Sequence, residues 1–174
     1  MPEPLSWTHP IRAADLPEEG VEIELAPDDE SRAALARNVD ALAVPALIAR
    51  LRLLPDGRGG ATVEGTLEAT VRQTCVVTLE PIDNAIAEPV ALRFAPEPEV
   101  ARSLEAGEAN PPDPLIGGRI DLARVVAEFL ALAVDPYPRR PGAVFNPPAS
   151  EAAAGRASAF AALEKLMPQH DKKV

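Results

Sequence analysis

Residues 61–96 read ATVEGTLEATVRQTCVVTLEPIDNAIAEPVALRFAP, and their alternation decides the fold. Ala61, Val63, Gly65, Leu67, Ala69 and Val71 share one face, while Thr62, Glu64, Thr66, Glu68, Thr70 and Arg72 share the other. A period of two marks a half-buried strand, because successive side chains of an extended chain point to opposite sides. The pattern continues nominally to Leu79, well past the usual strand of about 5 or 6 residues, so a turn is predicted near Pro81-Ile82-Asp83-Asn84. A return strand then places Ile86, Val90, Leu92 and Phe94 inward and Ala87, Ala91 and Arg93 outward.

Upstream, Leu47, Ala49, Leu51 and Leu53 alternate with Ile48, Arg50, Arg52 and Leu54, which predicts another strand. The glycine-rich link Pro55-Asp56-Gly57-Arg58-Gly59-Gly60 lacks a following Gly-Lys-Ser/Thr and leads into a strand, so it is a hairpin connection and not a phosphate loop. Three antiparallel strands are expected, at about 46–54, 61–75 and 84–95.

Nearer the start, Leu5 to Ile11 is expected as a short strand with Trp7 as a core or edge anchor, and Val21 to Leu25 alternates as another strand. The acids Asp28, Asp29 and Glu30 precede Ser31 to Asn38. They read as the cap and first turn of a short helix, where the helix dipole favours negative charge, and not as a metal site. Glu97 to Gly118 is acidic, rich in proline and glycine and without periodicity, and is expected to be a mobile loop. Asp121 caps a predicted helix with Leu122, Val125, Val126, Phe129, Leu130 and Ala133 at helical spacing, which Asp135-Pro136 ends. Tyr137 to Ser150 looks irregular. Ala152 to Met167 is expected as a small-residue helix with Phe160 and Leu163 on its stripe, either docked on the core or offered to a partner.

The expected fold is α+β: an antiparallel sheet, open or curled toward a small barrel, covered by the Asp121 to Val134 helix. A short N-terminal helix and a C-terminal helix complete it. Residues 1–148 form one expected domain and 149–174 a helical tail.

Composition narrows the function. Of 174 residues 47% are hydrophobic but only 3% aromatic, so the core is built from Leu, Val, Ile and Ala. The twenty prolines cluster at 1–10, 96–114 and 136–148 and mark connectors. One cysteine excludes an internal disulfide and fits a reducing compartment. Met1-Pro2-Glu3-Pro4 lacks the basic region of a signal peptide. The apolar runs 41–49 and 125–134 are too short to span a bilayer. The expected location is therefore the cytoplasm, with no membrane partner.

The net charge of −10 is uneven. Residues 1–40 hold ten acidic and three basic side chains and residues 97–118 hold five and one, whereas the rest nearly balances. Strong DNA binding is not expected of such a chain, because phosphate affinity depends on Lys and Arg.

Cys75, Leu79 and Pro81 at the hairpin pivot carry a resemblance to a known family. So do Asp121 and Leu122 opening the helix, Glu128 and Leu132 within it, Pro136 and Pro138 behind it, and Phe160 near the end. With these blocks in this order the chain resembles the YceD-like family, the large ribosomal RNA subunit accumulation proteins. The resemblance implies a non-enzymatic factor for synthesis, processing or stability of large-subunit ribosomal RNA, with that RNA or ribosome assembly proteins as partners. Many relatives carry a cysteine knuckle whose second cysteine falls at Thr78 here, and some carry another after the Pro-x-Pro, which in this chain is followed by Arg139-Arg140-Pro141-Gly142. Zinc needs about four N or S ligands. One cysteine with His9 and His170 does not supply them, so no cofactor or metal is expected.

Catalysis has little footing. Cys75 as a nucleophile would need a nearby activating group, and the expected reading is an inert strand cysteine. No Ser-His-Asp set, carboxylate pair or dinucleotide fingerprint stands out. The binding candidates are Arg50, Arg52, Arg72 and Arg93, which the strand periods place on one sheet face beside Thr66, Thr70 and Thr74. Such a cluster either grips RNA phosphates or pairs across strands with Glu64, Glu68 and Glu88. The absence of an aromatic on this face favours ion pairing. Arg139 and Arg140, beside Tyr137, are a second candidate. In the adaptor alternative, the acidic segments recruit a basic ribosomal protein or assembly factor.

Overall fold

The computed structural model describes residues 7–145. The chain divides into two compact units, Met1–Ala143 and Val144–Val174. The elements below all belong to the first. The helix expected at Ala152 to Met167, with Phe160, lies outside the described residues.

β2 (Val21–Leu25), β3 (Ala43–Pro55), β4 (Ala61–Thr74), β5 (Pro81–Ala95) and β6 (Asp113–Pro114) form one sheet in that order. The first four are successively antiparallel, and β6 runs parallel to the end of β5. The sheet is thus mixed, and it stays open with β2 and β6 at its edges; it does not close into a barrel. A separate two-stranded ribbon joins β1 (Pro10–Arg12) to β7 (Arg119–Asp121).

The alternation of residues 61–71 is realised as predicted, with Ala61, Val63, Leu67, Ala69 and Val71 buried and Glu64, Thr66, Glu68 and Arg72 exposed. Ile86, Val90, Leu92 and Phe94 also turn toward the core. Gly65 lies on the same side, where a Cβ would run into the Arg50 carbonyl oxygen, so the absent side chain lets β3 and β4 close up.

The turn differs from expectation. β4 is fourteen residues long and β5 fifteen. The chain reverses at residues 75–80, so Pro81 opens β5 opposite Thr74 and Asn84 pairs opposite Val71. β4 is central, hydrogen-bonded along both edges, and neighbours on each side sustain a strand longer than usual. Pro81 suits the first position of a strand, where its missing N–H is tolerated. The turn closes with Cys75 N donating to the Glu80 carbonyl at 2.8 Å and Leu79 N to the Cys75 carbonyl at 2.9 Å. Leu79 takes the left-handed φ of 59° that this requires.

α1 (Asp29–Asn38) begins on Asp28, whose carboxylate accepts the Ser31 N–H at 2.8 Å. Residues 97–118, expected as a loop, carry α2 (Glu97–Glu105). Pro98 sits in its first turn beside Glu97 and Glu99, and Arg102 lies in its last turn; both placements suit a helix. α3 (Leu122–Ala133) buries Leu122, Ala123, Val125, Val126, Ala127 and Leu130. Apart from Ala123, these residues belong to the same apolar cluster as Leu51, Leu53, Val63, Leu67 and Val71 of β3 and β4. Trp7 is partly buried against that cluster, as an anchor would be. No helix among the described residues is long and apolar enough to cross a membrane.

Candidate functional site

The strand register places the four sheet arginines as the periods predicted. Arg50 stands opposite Thr66 and Glu24, Arg52 opposite Glu64 and Glu22, Arg72 opposite Asp83, and Arg93 opposite Thr62. All four are exposed on the face away from the core.

Their guanidiniums are largely engaged. Arg50 Nε donates to Glu24 Oε2 at 3.0 Å, and its Nη1 lies 3.5 Å from Glu68. Arg72 grips Asp83 through two bonds of 2.7 and 2.8 Å. That pair holds the Asp83 carboxyl below the usual carboxylate range, chiefly by the hydrogen bond, and raises Arg72 in return. Arg93 donates to Glu108 at 3.4 Å and to the Asn110 carbonyl at 2.9 Å, and Arg52 reaches the Glu19 carbonyl at 3.5 Å. Of the partners expected from sequence, Glu68 is used; Glu24, Asp83 and Glu108 come from β2, β5 and the segment after α2. Those three belong to the register and to the path after α2, which no local pattern announces.

The hairpin pivot and the segment behind α3 are brought together. Cys75 is fully buried, and its Sγ accepts the backbone N–H groups of Arg140 at 3.3 Å and Thr78 at 3.4 Å. These donors, that of Arg140 first, hold the thiol down at about 6 against the opposing effect of burial. Val76 N donates to the Pro138 carbonyl at 2.9 Å, and Gln73 Nε2 donates to the Asp135 carbonyl at 2.8 Å. Arg140 Nη1 lies 2.5 Å from Glu80. Pro138 is buried, whereas Pro136, Arg139 and Tyr137 are exposed.

A metal does not fit this knuckle. A single thiol falls short of the roughly four N or S ligands that zinc takes, and the Thr78 and Arg140 amides already occupy the Cys75 sulfur. Among the described residues no group of three or more His, Cys, Asp or Glu side chains is placed to hold an ion.

The remaining motif residues have separate tasks. Asp121 Oδ1 caps α3 by accepting the Ala123 N–H at 3.2 Å, and it also accepts the His9 N–H at 2.8 Å. Leu122 is buried in the core. Glu128 pairs with Arg124 at 2.8 Å. Leu79 and Leu132 are 76% and 83% exposed, so neither is a core residue of the described unit.

A family model described as the large ribosomal RNA subunit accumulation protein YceD matches residues 63–167. No curated protein and no solved structure matches the chain. The match takes in the central strand, the Cys75 knuckle, α3 and the proline segment that closes on the knuckle, which is more than half of the chain; the chain belongs to the YceD family.

Proposed function

We infer that the chain supports the accumulation of large-subunit ribosomal RNA by binding and not by catalysis. The observation that carries this reading is the state of the Cys75 thiol. It is enclosed and accepts two backbone N–H bonds, one from Thr78 within the hairpin pivot and one from Arg140 that ties the pivot to the segment behind α3. A nucleophile must be reachable and have a base beside it, whereas this sulfur braces two segments. The engaged sheet face supports the ion-paired reading of Arg50, Arg52, Arg72 and Arg93, because a guanidinium holding a carboxylate has less to offer a phosphate.

The test is depletion of the protein in its host with quantification of large- against small-subunit ribosomal RNA. The ratio is expected to fall and to recover with the wild-type chain and with Cys75→Ala. An unchanged ratio on depletion overturns the role. Recovery with wild type but not with a folded Cys75→Ala overturns the non-catalytic part.

The adaptor reading is favoured by α2. This helix carries Glu97, Glu99 and Glu105 together with Leu104, which is 61% exposed, a combination suited to a basic ribosomal protein or assembly factor. Replacing the three glutamates by Gln and Leu104 by Ala is then expected to abolish co-purification with assembly particles, and retained co-purification refutes it.

A further inference from the structure

Two arginines that no sequence pattern links are placed side by side on the β1–β7 ribbon. Arg12 is the direct cross-strand partner of Arg119, and Ile11 pairs with Ile120 beside them. The isoleucines point inward, with Ile120 buried, and both arginines are exposed. Directly opposed residues in an antiparallel pair have Cα atoms about 4.5–5.5 Å apart, and like charges at that position are destabilising. Local structure holds them there. Gly117 and Gly118 take left-handed φ values of 60° and 72°, Arg119 N donates to the Ile116 carbonyl at 3.2 Å, and Ala13 N donates to the Gly118 carbonyl at 3.1 Å.

Among the described residues no carboxylate lies within 4.0 Å of either guanidinium, in contrast to Arg50, Arg72 and Arg93. Asp113, Asp121 and Glu128 line the same cavity as Arg119 and Arg124; Glu128 bonds Arg124, and Asp121 and Asp113 act on Arg124 through space. This cavity, of about 400 Å³, also has Phe94 and Ile116 in its wall.

We propose that Arg12 and Arg119 form a phosphate clamp for single-stranded RNA, seating one backbone phosphodiester between their guanidiniums. The adjoining cavity then receives an unstacked base against Phe94 and Ile116. Two planar forks side by side suit a phosphate group. An unstacked base beside a backbone contact is how single-stranded RNA is read, and a duplex does not offer one. The RNA source rests on the ribosomal RNA reading given above. The clamp is a site distinct from the engaged sheet face.

The test uses the full chain and a labelled single-stranded fragment of large-subunit ribosomal RNA, with affinity measured across a salt series. R12Q/R119Q is expected to weaken binding about tenfold at low salt and to lower the slope of log affinity against log salt by about one unit per arginine. R12K/R119K, which keeps the charge, retains the slope, and R50Q/R52Q/R72Q/R93Q leaves it near wild type. A slope unchanged in R12Q/R119Q overturns the clamp, and so does absence of RNA binding by the wild type. Competition by inorganic phosphate at concentrations far below those needed by simple ionic strength would identify a free-anion site and overturn the RNA assignment. Melting curves control for folding: R12Q/R119Q is expected to melt no lower than wild type, since a like-charge contact is removed. Depletion in the host separates this inference from the role. If R12Q/R119Q binds RNA as wild type does while depletion lowers large-subunit RNA, the clamp falls and the role stands. If depletion changes nothing, the role falls while the salt slopes still judge the clamp.

Discussion

Asp121 is the residue on which the N-terminal ribbon and α3 converge, and removing its carboxylate separates two effects by size. Its Oδ1 accepts the Ala123 N–H at the start of α3 and the His9 N–H just before β1. Loss of a helix cap costs about 1 kcal/mol. Loss of a half-buried backbone bond to an ionised acceptor costs at least about 1.5 kcal/mol. Asp121→Ala should therefore destabilise by about 2.5 kcal/mol, or about 5–10 °C in melting temperature for a domain of this size. Asp121→Ser keeps a capping hydroxyl but is too short to reach His9, so it should cost about 1.5 kcal/mol. Thermal and urea unfolding give the sizes, and amide exchange gives the location. The His9 amide should lose protection in both variants, the Ala123 amide in Asp121→Ala. An Asp121→Ala variant within about 0.5 kcal/mol of wild type, or a His9 amide exchanging at the wild-type rate, would refute the double role. Because His9 leads into β1, Asp121→Ala should also loosen the alignment of Arg12 with Arg119.

Other substitutions test other parts of the fold. Gly65→Ala forces a Cβ into the Arg50 carbonyl and should cost about 1–3 kcal/mol in urea unfolding; a neutral effect would mean that β3 and β4 are not so closely apposed. The Cys75 thiol, lowered to about 6 from 9.0, links stability to pH. The folded value lies below the unfolded one, so the stabilisation is complete above about pH 9 and is lost as pH falls through about 6. Cys75→Ser should flatten this window, and an unchanged slope would show that the thiol does not titrate there. Asp83 should titrate below the ordinary carboxylate range by NMR and move back up in Arg72→Gln, because the guanidinium bond is the first cause of its shift; no movement would exclude that pairing in solution.

Those parts of the molecule that are set by neighbours along the chain are legible in the sequence. The alternation from Ala61 onward assigns buried and exposed faces, since strand geometry alone sends successive side chains to opposite sides. Asp28 and Asp121 announce helix starts because a cap acts on amides two or three residues ahead. α2 escapes a reading by periodicity because its nine residues hold few apolar side chains, although Pro98 and the acids of the first turn mark its start. The strands run well past the usual length and the turn falls at 75–80, ahead of Pro81-Ile82-Asp83-Asn84, because the partners that flank β4 on both sides, and not its own residues, set how far the strands run.

The contacts that bear on function belong to another level. The sequence specified an arginine-bearing face, but register and the path after α2 decided that Arg50, Arg72 and Arg93 meet Glu24, Asp83 and Glu108 there. It specified a lone cysteine, and closure of the segment behind α3 decided that the sulfur meets Arg140. Nothing local relates Arg12 to Arg119; only the pairing of β1 with β7 makes them neighbours. Periodicity and capping are short-range consequences of backbone geometry, whereas side-chain partners across strands depend on topology, which the chain settles only by burying its core.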